Sequence, residues 1–301
     1  MNDFSDRQHS PWQSILMLLL LTFACSIGIQ ILVLILGLMT TSGSLSVLED
    51  QLFFTYALLA AGTFSTFYLP AVLLQQREPY NEYFPTENKF NYVFYVLAIA
   101  ILVAFGPMME LIGEWNANMT LPENLKGVED WMRTQEDASN DVLKKIAMVD
   151  NLGLLLINII VLAIFPAIAE EYFFRGSIMH ILQKIVKNQH IAIWLTAIIF
   201  SAIHVQFFGF FPRVILGAFF GYMLVWTNNI WVPIVGHFVN NAAVTILAYY
   251  YTMQGKTFED LQSYDNYSIF LYLGSLLLTI AVAILFNKKS KSNIIYGERL
   301  D

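Results

Sequence analysis

The chain has 301 residues, of which 57% are hydrophobic and only 13% charged, with a formal net charge of −7. Soluble domains usually carry about 25% charged residues, so the bulk of this chain belongs in lipid. The acidic balance argues against a nucleic-acid partner, which calls for a basic face.

In chain order the apolar runs cover 12–40, 53–75, 90–113, 153–186, 190–211, 212–227, 228–251 and 267–286. Each is long enough to cross, or nearly cross, a hydrocarbon layer about 30 Å thick. Lipid permits only helices or closed barrels, and these runs lack strand alternation. The expected fold class is therefore all-α, a polytopic transmembrane bundle of about eight helices. The first run is too long for a signal-peptide core and has no clear small-residue cleavage site, so it reads as a retained helix. The run 212–227 is the shortest and reads as partly re-entrant.

Residues 114–150 are polar and mixed in charge. There Val128, Trp131, Met132, Val142, Leu143 and Ile146 predict short amphipathic helices that lie on the membrane or cap the bundle. With no repeat and no low-complexity segment, residues 1–301 read as a single membrane domain. The lone cysteine, Cys25, cannot form a disulfide within the chain and has no polar sequence neighbour to make it a thiolate.

Orientation follows from basic residues. With the N-terminus inside, the inner segments hold Arg7, Arg77, Lys89, Lys184, Lys187, Lys288, Lys289, Lys291 and Arg299. The outer short loops hold only Arg213 and Lys256. Both termini are expected in the cytoplasm, with the protein in the cell membrane.

Charged groups at membrane depth cost several kcal/mol each and are functional suspects by default. Most runs are free of them. The exceptions are Glu170, Glu171 and Arg175 in the fourth, His204 in the fifth, and His237, Asn240 and Asn241 in the seventh. Glu170 and the His237–Asn241 stretch fall near the centres of their runs, with His204 about 5 Å past the centre of its own. Three runs thus bring polar groups to one depth. Glu171 and Arg175, four apart, share a helix face and can pair. Glu170 points about 100° away and is freer to face a neighbour or a water. His237 and Asn241 share a face. Asn240 reads as a helix–helix hydrogen bond. His180 and His190 read as interfacial, His9 as part of a polar tail. The Phe207, Phe208, Phe210, Phe211 cluster reads as an interface belt.

This inventory suits hydrolysis. A carboxylate in a low-dielectric setting can serve as general base toward water. An imidazole can orient that water or bind a metal that acidifies it. A second imidazole and an amide can donate to an oxyanion. Ser201 lies three residues before His204 on a similar face, but no third group orients a Ser–His pair and no nucleophile elbow is present.

At this point the residues resemble a family. EEYFFRG at 170–176, FSAIH at 200–204 and HFVNN at 237–241 are similar to the EExxxR, FxxxH and HxxxN motifs of the CAAX-protease and bacteriocin-processing (CPBP) intramembrane proteases, in the same order. The resemblance covers about 150–251 as a catalytic core. It implies that Glu170 activates water, that Glu171 paired with Arg175 supports it, and that His204 partners the water. It implies His237 and Asn241 as oxyanion stabilisers or metal contacts. Glu170, His204 and His237 could alternatively make a three-ligand site for a divalent metal such as zinc. The expected activity is endopeptidase cleavage of a membrane-associated protein or peptide, with a prenylated C-terminus and a leader peptide both open as substrate. Two other classes compete. One is a proton-coupled transporter, since buried Glu, His and Arg also build relays. The other is a non-catalytic immunity or binding protein.

Overall fold

The computed structural model describes residues 8–41, 44, 47–48, 51–86 and 91–296, with side chains as far as 291. Its helices are α1 (Pro11–Thr40), α2 (Leu52–Arg77), α3 (Tyr92–Ala117), α4 (Lys126–Ala147), α5 (Leu152–Val186), α6 (Gln189–Ala202), α7 (Phe210–Thr227), α8 (Trp231–Met253), α9 (Phe258–Gln262) and α10 (Ile269–Tyr296). Among the described residues there is no strand, and seven helices are long and apolar enough to cross a membrane. The chain is an all-α, multi-pass membrane bundle.

Local signals start these helices. Ser10 and Gln13 form a capping box ahead of Pro11, and the side chains of Asn91, Asn151 and Asn188 accept from the first free N–H groups of α3, α5 and α6. In α3 the missing N–H of Pro107 falls in the middle of a span. There Ser275 of α10 donates to the Ala104 carbonyl at 2.6 Å and accepts from Met108 N at 3.3 Å, so a neighbour's hydroxyl patches the ladder.

The fifth and sixth runs divide differently from expectation. The short helix is α6, with 14 residues or about 21 Å, whereas α7 with its preceding turn is full length. The break lies at 203–206, where Val205 sits at φ 55. A β-branched residue there cannot continue a helix. Helices α6 and α7 form a tight antiparallel hairpin, held at its tip by Ser201 Oγ donating to Phe210 O at 2.8 Å. The polar stretch also differs: it holds one 22-residue helix, α4, instead of several short ones. That helix caps the hairpin tip, with Trp131 5.5 Å from the Phe207 ring and Arg133 4.2 Å above Phe208. The Phe cluster is thus packed under α4 as well as lying at the interface.

The helix ends opposite α4 are stitched together. His9 is no free tail residue, since its Nδ1 lies 3.0 Å from the buried Glu78, which also accepts from Ser14 and Asn81 at 2.7 Å. Lys184 donates to Asn81, His180 packs 4.8 Å from the Tyr83 ring, and Ile230 N donates to Pro85 O at 2.8 Å. Arg77, Lys184, Lys187, Lys288, Lys289 and Lys291 lie toward this face. Arg7, Lys89 and Arg299 lie outside the described residues.

Gly176 makes the stitching possible. A Cβ there would meet the Phe84 ring at 2.6 Å and the Tyr83 carbonyl at 3.0 Å. Gly176→Ala is expected to destabilise the bundle by about 1–3 kcal/mol. Denaturant unfolding of the purified protein in detergent, followed by Tyr and Trp fluorescence, checks this; an unchanged midpoint would refute it.

Candidate active site

Helix α5 is not a regular helix. Two π segments, Ile159–Ile164 and Glu171–Ile178, flank a short α stretch, Phe165–Glu170. Such segments concentrate at functional sites because they re-aim side chains and loosen the backbone ladder. Pro166 adds a second irregularity. It has no N–H for the Leu162 carbonyl four residues earlier, and Asn241 of α8 donates its Nδ2 to that carbonyl at 3.3 Å. A gap in one helix thereby fixes a polar side chain of another.

Beside it lies a buried charge cluster. Glu171 Oε1 accepts from Arg175 at 2.8 Å and from His237 Nδ1 at 2.9 Å. The expected Glu171–Arg175 pairing is present, and the hydrogen bond from His237 gives Glu171 a second role that spacing did not suggest. Arg175 also donates to Gly217 O at 3.0 Å and lies 4.6 Å over the Phe200 ring. A Cβ on Gly217 would stand 3.2 Å from both Arg175 and the Ala197 backbone, so glycine lets α5, α6 and α7 close on the guanidinium.

Glu170 is different. It is buried, has no hydrogen bond among the described residues, and its Oε2 lies 3.8 Å from His237 Nε2. That gap is too long for a direct hydrogen bond and suits a water touching both. His204 lies in the hairpin turn past the end of α6, instead of within a span. Its Nδ1 is 2.7 Å from the Phe200 carbonyl. A carbonyl only accepts, so Nδ1 carries the proton and Nε2 presents a lone pair. Phe220 stacks on His237 at 5.0 Å, and Phe200 packs edge-on against both imidazoles.

Glu170, His204, His237, Asn240 and Asn241 line one cavity of about 570 Å³. Glu171 and Arg175 stand behind its wall. Asn240 donates to Asn241 Oδ1 at 3.2 Å, so it orients a cavity side chain where a bond between helices was expected. The Ser201 hydroxyl is committed to Phe210 and His204 Nδ1 to Phe200, so the two do not form a pair in this arrangement. Arg213, assigned from sequence to an outer loop, instead lies in the first turn of α7 and lines the same cavity. Its signal was the one that marked Glu170, a charge inside an apolar run.

Glu170, His204 and His237 are the alternative three-ligand set for a metal, should one bind. Among the described residues no group of three His, Cys, Asp or Glu side chains is arranged to hold a metal ion.

Residues 152–243, which contain all three motifs, match the family model described as Type II CAAX prenyl endopeptidase Rce1-like. The Bacillus subtilis (strain 168) "Uncharacterized protein YpbD" is 33% identical over 89 residues, 28% of this chain and 42% of the relative, so less than half of that protein is spanned. No solved structure matches. Fold and site define a multi-pass helical membrane protein with a buried carboxylate–imidazole centre. The resemblance read from the motifs is borne out to this extent: the segment 152–243 is similar to the Rce1-like, CAAX-protease type.

Arg175→Ala would strand the Glu171 carboxylate in a dry interior, so a loss of about 3–5 kcal/mol in unfolding free energy is expected. The double variant Glu171→Gln with Arg175→Ala should lose less than the sum of the single changes. Unfolding midpoints in detergent for the four-member cycle check this, and strict additivity would refute a coupled pair.

Proposed function

We propose that this protein is an intramembrane endopeptidase in which Glu170 activates water. The observation that carries the reading is an unpaired buried carboxylate 3.8 Å from an imidazole, in a cavity that a second imidazole also lines. Water held against Glu170 and the free Nε2 of His204 gives its proton to Glu170 as its oxygen attacks the scissile carbonyl carbon. The second amide N–H of Asn241, whose first is bound to Leu162 O, supports the developing oxyanion. His237, oriented by Glu171, takes the proton from Glu170 and delivers it to the leaving nitrogen as the oxyanion re-forms the carbonyl and the C–N bond breaks, leaving a carboxylic acid and an amine. Arg175 holds Glu171 in place and does not touch the reacting atoms.

The reading is metal-free: among the described residues Glu170, His204 and His237 are not grouped as a three-ligand cluster, and the Arg213 cation faces the same cavity. No step above runs through a metal ion. Metal analysis of the purified protein is expected to find no stoichiometric zinc, with cleavage unaffected by a chelator. One metal per chain, lost in His204→Ala and His237→Ala, would overturn this metal-free reading.

The basic face supports a cell-membrane orientation with both termini in the cytoplasm. The cavity is lined by the opposite ends of the helices, including Gly113, Gly209 and Tyr264, which on that orientation puts it on the side away from the cytoplasm. That placement supports a leader peptide or a membrane-protein segment as substrate over a prenylated cytoplasmic C-terminus.

Glu170→Ala and His204→Ala are each expected to cut cleavage by about 10²–10⁴-fold. Comparison of peptide termini in cells carrying wild type or Glu170→Ala tests the activity. Identical terminal peptides would sink the peptidase reading, and uptake into proteoliposomes without cleavage would favour a transporter.

A further inference from the structure

Arg213 has no part in the mechanism above. Its guanidinium is held by two bonds to one residue, donating to Gln206 O at 3.2 Å and to Gln206 Oε1 at 2.9 Å. Among the described residues no carboxylate comes within 4.0 Å of it. A guanidinium has five N–H donors in a rigid fork, so three remain for the cavity it lines. Gly209 makes room for the fork, since a Cβ there would stand 3.1 Å from it. The acids around it are otherwise placed. Glu136 accepts from Phe208 N at 3.2 Å, and burial pushes its carboxyl above the usual range despite that bond and the nearby Arg213. Glu110 lines the same cavity, and Glu170 is assigned to water.

A fixed, half-buried cation with open donors, in a cavity whose lining also includes the acids Glu110 and Glu170, is a receptor for one negative group. Resting on the peptidase reading, we propose that Arg213 is a specificity residue that anchors a carboxylate of the peptide substrate. The fork selects a planar, bidentate partner, and Glu110 and Glu170 disfavour a carboxylate beside themselves. The group is either the free C-terminus of the chain or an Asp or Glu side chain near the cut.

The test uses the full chain in lipid nanodiscs and three synthetic apolar decapeptides. One ends in a free carboxylate, one in an amide, and one is amidated with a single Asp three residues from its end. Binding is read by fluorescence anisotropy and cleavage is followed in parallel. Wild type is expected to bind one or both carboxylate peptides about tenfold or more tightly than the plain amide. Preference for the first peptide identifies a chain terminus, and preference for the third identifies a side chain. Arg213→Gln should erase the preference and leave the plain amide unchanged, with Arg213→Lys intermediate and thermal unfolding reporting that both variants fold. Equal affinities in wild type, no binding by any peptide, or an equal loss for all three in Arg213→Gln would overturn the proposal. A carboxylate preference lost in Arg213→Gln, with no cleavage by wild type, would uphold the anion site and sink the peptidase reading.

Discussion

The arrangement depends on one shared oxygen. Glu171 Oε1 accepts from Arg175 and from His237 at once, and nothing else in the span carries opposite charge that close. In a hydrocarbon surround a lone carboxylate or guanidinium would be costly, so each is retained only with its partner. Because Arg175 also reaches Gly217 on α7, and His237 belongs to α8, this single carboxylate ties three helices together at membrane depth. The site inherits its rigidity from that knot. Glu170, the next residue, is then the one acid of the doublet without a bond, and it faces the cavity.

Backbone irregularity does the positioning around the knot. Pro166 frees a carbonyl that Asn241 takes up, and π segments on either side turn α5 through the doublet. The turn after α6 presents His204, at the cost of a β-branched residue in left-handed conformation, a strain of order 1–3 kcal/mol. In a membrane such departures survive only where a neighbour satisfies the released groups. Asn241, Ser201 and Ser275 each do so with a side chain. Polar side chains outside the chemistry are therefore concentrated where helices depart from regular geometry.

The two faces of the bundle divide their labour. One is tied by Glu78, Asn81, Tyr83 and Lys184 into a closed floor. The other carries the amphipathic α4 and the cavity that holds the catalytic candidates and Arg213. Glu170 thus lines a cavity on the α4 side of the bundle, away from the tied floor.

The sequence alone determined the membrane bundle, because composition and run length leave lipid no other fold. It also determined the candidates Glu170, His204, His237 and Asn241, because a polar residue in an apolar run is conspicuous wherever the chain folds. Spacing of four paired Glu171 with Arg175 correctly, since that contact is local to one helix. The tertiary structure alone decided the rest. Residues 171 and 237 are 66 apart, and no periodicity reports a bond between them. The division of α6 from α7 was hidden because an apolar run does not reveal a break whose cause is one backbone dihedral at Val205. Arg213 was hidden for a related reason: counted as a loop charge, it became a cavity residue only once the hairpin folded it back beside Glu170.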